Sequence, residues 1–258
     1  MNISRIYAIV LRHFFLAIHQ FERITDIFLF PVLALVLWGF LSSFVQFQTP
    51  SLANFLLGGM ILWVIFERVG SNVGVDFMFD VWERNLMNVL ASPIKLPEYI
   101  TGLVIVSLLK VLISFLAMWF VATVFFGFAI NLYGISLAAF WVNLVFFAVV
   151  LGIFNVSIVM RFGNTIGPLT WILPFAIQPF AAVFYPVAVL PIFIQKIVWF
   201  LPISHVFEGM RFTFTTGRFQ SLEFLAALGL NLVYFVIVIG FFTYIFNLVK
   251  RKGSLAKL

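Results

Sequence analysis

The chain has 258 residues, of which 64% are apolar and 9% charged, with a formal net charge of +6 and no cysteine. A soluble domain carries about 25% charged residues, so this chain has too little polar surface to coat a water-facing exterior, and its mean hydropathy of +1.18 points the same way. The missing thiols exclude disulfides, thiolate zinc sites and iron–sulfur clusters, and excess positive charge on such a chain reports anchoring at membrane lipids rather than nucleic-acid binding.

A bilayer core of roughly 30 Å takes about 20 apolar residues per helix, and the chain predicts an all-α, single transmembrane domain over 1–258 with six spans. Residues 1–24 do not read as a cleavable leader, because Arg5, Arg12, His19, Glu22 and Arg23 interrupt the apolar run and no small-residue cleavage site follows. Arg5, Arg12 and His19 recur every seven residues on one face, which predicts an amphipathic helix lying in the membrane interface. The first span is expected over 27–45, with Pro31 near its start and a polar turn at Gln46-Phe47-Gln48-Thr49-Pro50. The second, over 52–77, is interrupted by Glu67-Arg68 and continues through Gly70 and Gly74 to Asp76.

A helical stretch over 80–92 follows, in which Trp82, Leu86, Val89 and Leu90 form an apolar face and Asp80, Glu83, Arg84 and Asn88 a polar one. Such a helix can lie on headgroups or enter a groove on a partner protein. Spans three and four are expected over 100–127 and 135–160. The fifth, 166–184, carries Pro168, Pro174 and Pro179 and predicts a broken helix, which a membrane bundle absorbs against its neighbours. Short proline-led apolar pieces within 186–218 suggest a re-entrant helical hairpin, and the sixth span, 224–249, closes on Lys250-Arg251-Lys252.

With the N-terminus inside, Arg5, Arg12, Arg23, Arg68, Arg84, Lys95, Arg161, Lys250, Arg251, Lys252 and Lys257 fall on the inner side and only Lys196, Arg211 and Arg218 outside. That asymmetry predicts cytoplasmic termini in a multi-pass plasma (inner) membrane protein. The chain has no phosphate-binding glycine loop, no G-x-S-x-G elbow and no H-E-x-x-H pair, and His13, His19 and His205 show neither ligand spacing nor obvious carboxylate partners. These features predict no catalytic residue, no metal site and no cofactor on this chain.

Trp82-Glu83-Arg84, Leu90-Ala91-Ser92-Pro93-Ile94 and Glu98-Tyr99-Ile100-Thr101-Gly102 together resemble the cytoplasmic coupling segment of the type-2 ABC exporter permeases. A second match is Ala182-Val183-Phe184-Tyr185-Pro186, then Leu190-Pro191, then Leu201-Pro202-Ile203-Ser204-His205-Val206-Phe207-Glu208-Gly209-Met210-Arg211, similar to that family's signature before the last span. Ile203-Ser204 stands where the family more often has Leu-Thr, keeping a hydroxyl able to cap a helix. The resemblance implies a non-catalytic permease that dimerises, as a homodimer, and couples to two cytosolic ABC ATPase subunits, which would hold ATP and magnesium. It implies that Trp82, Glu83, Arg84, Leu86 and Leu90 dock into the ATPase and that Arg5 and Arg12 form a second contact.

Glu67 and Arg68 read either as pathway residues or as the mark of a helix emerging at the interface; adjacent helical positions point about 100° apart and are not expected to pair neatly. Lys110 reads as a snorkelling residue of span three. Glu208 and Arg211, at i and i+3, read as mutual neutralisation or as an outer gate. Few charges within the spans favour a lipophilic, amphipathic or lipid-linked cargo, leaving drug, lipid and glycan open. A secondary transporter and a membrane assembly factor are the rival readings. The 36 phenylalanines, many paired as at Phe125-Phe126 and Phe146-Phe147, are accounted for by lipid contact and helix packing.

Overall fold

A computed structural model describes residues 1–46, 50–128 and 134–252, without the side chains of residues 22, 50–54, 90, 134–137 and 164. The turn expected at 47–49, Lys257 and the Leu90 side chain lie outside what is described. The described chain is helical: α1 (Ile3–His19), α2 (Phe21–Gln46), α3 (Pro50–Trp82), α4 (Leu86–Ala91), α5 (Leu96–Phe126), α6 (Gly134–Phe162), α7 (Leu169–Ile177), α8 (Ile192–Val198), α9 (Pro202–Thr216) and α10 (Ser221–Arg251).

Five segments, Arg23–Gln46, Phe55–Trp82, Leu96–Phe126, Ala138–Phe162 and Ser221–Arg251, are long and apolar enough to cross a membrane. The expected fifth segment is broken, as its prolines require: a 3-10 turn at Gly163–Ile166, the nine-residue α7 containing Pro174, and a second 3-10 turn at Gln178–Phe180. No one piece of it has the length of a span, so five rather than six uninterrupted crossings stand among the described residues. Residues 80–92 do not form one helix. α3 runs on to Trp82 because Phe77, Met78 and Val81 are buried, Arg84 turns the chain in a left-handed conformation (φ 55°), and α4 restarts at Leu86.

The core is two clusters stacked along the bundle. One joins Ile9 of α1, Val73–Val81 of α3, Leu86 and Val89 of α4, the first turns of α5 and the last turns of α6 and α10. The other joins Leu57–Val69 of α3, the latter part of α5, the first half of α6 and Ile203–Met210 of α9. The first is the basic end, where Arg5, Arg12, Arg23, Arg84, Lys95 and Lys250 gather, so the sequence partition of charge becomes a partition of the bundle into two ends. α3 is the buried central helix. It packs against α6 so closely that a methyl on Gly74 would stand 2.9 Å from the Asn155 side chain, and one on Gly70 3.2 Å from Leu151. The Gly70-x-x-x-Gly74 spacing therefore serves contact within the chain.

α5 starts at Leu96-Pro97, where the missing proline N–H costs nothing, and Glu98 accepts the Lys95 backbone N–H at 2.9 Å to cap the first turn. Glu98 also accepts the Asn2 backbone N–H at 2.8 Å and faces Arg5 at 3.4 Å, so the start of α5 seats α1.

Candidate functional site

The basic end is built on two carboxylates one helical turn apart on α3, both fully buried, which need charge partners to be tolerated at that depth. Asp80 accepts a fork of hydrogen bonds from Arg12 of α1, with Arg12 Nη1 to Oδ2 at 2.9 Å, and one from the Tyr99 hydroxyl of α5. Asp76 accepts two from Lys110 Nζ of α5, at 2.7 and 2.8 Å, and one from Arg23 of α2 at 3.3 Å; His13 Nδ1 stands 4.0 Å away. Four helices thus meet on seven charged or polar side chains. The Asp80 carboxylate holds the Arg12 guanidinium above its ordinary pKa, whereas burial pushes the His13 imidazole below its own.

These partners correct three expectations. Lys110 does not extend to the membrane surface; it turns inward to Asp76. Arg5 and Arg12, read as the basic face of an interfacial helix, turn into the bundle, toward Glu98 and Asp80. His13 and His205 do meet carboxylates, supplied from 63 and 18 residues away, His205 through Nδ1 to Glu223 at 2.6 Å and Nε2 to the Trp199 carbonyl at 2.9 Å.

Of the expected docking residues, Trp82 is 42% exposed, between Phe79 and Trp171, and Arg84 is exposed at the corner. Glu83 is partly exposed, 3.6 Å from Arg23. Leu86, expected on the docking face, is instead 1% exposed: the break after Trp82 rotates it with Val89 into the core, where it anchors α4, while Met87 on the opposite side is open.

Glu67 and Arg68 do approach each other. Their long side chains bring Arg68 Nε to 3.3 Å from Glu67 Oε2, and Arg68 Nη1 reaches Asp26 of α2 at 2.5 Å, so the pair ties α3 to α2. Glu67 is buried and receives the Ser71 hydroxyl at 3.4 Å.

At the other end, Glu208 and Arg211 pair at 2.6 Å and both hold the connector before α8. Glu208 accepts the Val187 N–H at 2.6 Å; Arg211 donates to the carbonyls of Ala182 and Tyr185 at 2.8 and 2.9 Å. Ala182 sits at φ 54°, a conformation non-glycine residues rarely adopt, and the clamp on its carbonyl holds it there. The arrangement fits the neutralisation reading, with a structural task added.

Asp76, Asp80, Tyr99, Glu98, Glu223 and Asn72 escaped the sequence reading of the site. The available signal was Asp76 and Asp80 at i, i+4 inside an apolar run, two charges whose partners had to come from elsewhere in the chain. Among the described residues no group of three or more His, Asp or Glu side chains is gathered as metal ligands.

An all-helical chain with long apolar helices around a charged, buried end is a multi-pass membrane protein. The sequence model of the family described as ABC-2 type transporter matches residues 6–215, and the chain belongs to that family, the membrane subunits of ABC transporters. Members are generally non-catalytic transmembrane components that pair with an ABC ATPase. No curated protein matches the chain by sequence.

Proposed function

We propose that the chain is the permease half of an ATP-driven exporter in the plasma membrane, working as a homodimer on two cytosolic ATPase subunits that bind ATP and magnesium. Its cargo is lipophilic, amphipathic or lipid-linked. The observation that carries this reading is α4: a short helix anchored by buried Leu86 and Val89 at the joint between two long spans, α3 and α5, with Trp82, Arg84 and Met87 open beside it. A push on α4 is delivered to both spans at once, because neither can move without its buried anchor. Trp82, Glu83 and Arg84 make the ATPase contact, with Leu90 on the same short helix. Arg5 and Arg12 act in coupling through the ties of α1 to Glu98 and Asp80, which oblige α1 to follow α3 and α5.

In this reading the basic end and both termini face the cytoplasm. The broken segment from Gly163 to Phe180 completes a sixth crossing, and α8 and α9 form the re-entrant hairpin on the outer side. The test is to reconstitute the chain with its candidate ATPase in lipid and measure ATP turnover and cargo movement for the parent, Glu83→Lys and Arg84→Glu. Loss of coupling with retained assembly is expected. Coupling that survives both reversals refutes the docking assignment, and no association with any ATPase would hand the chain to the secondary-transporter or assembly-factor reading.

A further inference from the structure

Between the start of α2, the last turns of α3, Lys110 of α5 and Trp171 of α7 lies a cavity of about 610 Å³. Its wall carries Asp26, Asp76 and Glu83 against Arg23 and Lys110, with the rings of Phe21, Phe30, Phe79 and Trp171. The ion pairs in and behind this wall divide into two groups. Arg23 and Lys110 balance Asp76 and Glu83. In the other group a single cation, Arg68, serves two carboxylates, Asp26 and Glu67. Arg68 is therefore shared, Glu67 is buried behind the wall, and the carboxylate of that group with access to the cavity is Asp26, whose side chain is 42% exposed.

A second observation is independent of charge. Asn72 lines the same cavity, is only 6% exposed, and has no hydrogen-bond partner among the described residues. Its amide lines the cavity, so its partner is supplied there, by water or by a polar group of a ligand. An N–H donor satisfies its carbonyl; a positive charge satisfies Asp26; aromatic rings accept an apolar body and attract cations. An anion would meet the three carboxylates of the wall instead, and a neutral polyol would leave Asp26 with only a shared cation.

We infer that this cavity binds an amphipathic amine in its protonated form, with the ammonium group at Asp26 and Asn72 and the apolar body against the aromatic wall. As the cargo class of the exporter, the assignment rests on the permease reading above; as a binding site it stands without it. The test uses the full chain alone in nanodiscs of zwitterionic lipid, so that lipid charge does not recruit the probe. The probes are monodansylcadaverine, a fluorophore bearing a primary amine on an alkyl chain, and its N-acetyl derivative, which differs in lacking the charge.

Saturable binding of the amine is expected, with the acetylated probe weaker by about tenfold or more, the scale of one charge-assisted hydrogen bond. Asp26→Asn and Asn72→Leu are each expected to weaken the amine by about tenfold, and the acetylated probe, which keeps an N–H but no charge, by less; Asn72→Leu conserves volume and carries the test should Asp26→Asn fail to fold. Equal binding of the two probes overturns the inference. So does parent-like amine binding by both variants, which would mean that Asp26 and Asn72 do not hold the ammonium group. No ATPase is present, so a failure here leaves the coupling reading standing, and amine binding by a chain that associates with no ATPase keeps the site while removing the exporter.

Discussion

Replacing Asp76 by Asn keeps the size of the side chain and removes the one charge that Lys110 and Arg23 share. From the 2.7 and 3.3 Å separations, Coulomb attraction at an effective dielectric of about 20 amounts to roughly 6 and 5 kcal/mol respectively. The net loss is smaller, because Asp76 recovers its own desolvation and Arg23 keeps Glu83 at 3.6 Å and the Phe79 ring at 5.0 Å. Removing one partner of a buried pair destabilises by about 3–5 kcal/mol, and Asp76→Asn is expected to fall in that range. Lys110→Met costs less, about 2–3 kcal/mol, since Asp76 retains Arg23.

The double variant is the informative one. With Asp76 and Lys110 both neutral, no charge is stranded on α5, so its loss should fall short of the sum of the singles by about 2 kcal/mol, within the range found for contacting side chains. The assay is equilibrium unfolding in bicelles by titration with sodium dodecyl sulfate, followed by tryptophan fluorescence. Additivity to within about 0.5 kcal/mol would show that the two side chains act independently and would refute the ion-pair geometry at the basic end.

Three further outcomes follow from the same contacts. A side chain on Gly102 would meet Ile9 at 2.7 Å, so Gly102→Val should lever α1 off α5, read as faster hydrogen exchange in 3–19 with the exchange of α6 unchanged. His13 has its pKa lowered by burial, the carboxylates of Asp76 and Asp80 opposing that and the cations Lys110 and Arg12 adding to it. The folded chain therefore holds His13 neutral where the unfolded chain protonates it: stability is intact above the ordinary histidine pKa near 6.5 and falls by up to about 1.4 kcal/mol per pH unit below it, a slope that should be shallower in His13→Leu melts. Arg211→Ala removes three hydrogen bonds, to Glu208 and to the carbonyls of Ala182 and Tyr185, and should cost about 3 kcal/mol, seen as reduced folded yield; normal yield with abolished export would return Arg211 to the gate reading.

Elements whose cause is local were legible in the sequence. The long apolar runs, the interruption at Pro168, Pro174 and Pro179, and the start of α5 at Pro97 with Glu98 three residues after Lys95 all depend on neighbours within a turn or two. The helix expected over 80–92 failed for a related reason. Its apolar spacing was continuous on paper, yet residues 83–85 hold a turn, because Val81 on one side and Leu86 on the other are each claimed by the core and cannot both be satisfied by one straight helix at the bundle's end. Side-chain reach also defeated the ideal wheel at Glu67-Arg68, where flexible stems close the angle that separates their Cβ atoms.

The charged end was illegible because its logic is non-local. Arg12 lies 68 residues from Asp80 and Lys110 34 from Asp76, and a single sequence pairs them by no periodicity. What was available is an inequality: two buried carboxylates on one face of an apolar helix require cations, and the nearest supply in a membrane is other helices. Read that way, the basic residues on α1, α2 and α5 are partners first and lipid anchors second, and the positive-inside count is partly a count of structural ion pairs. It follows that α1 is held to the bundle by charge as well as by apolar contact. A coupling device built on that tie is expected to weaken with salt far less than a surface contact would, because the carboxylates that hold α1, Asp80 and Glu98, are buried.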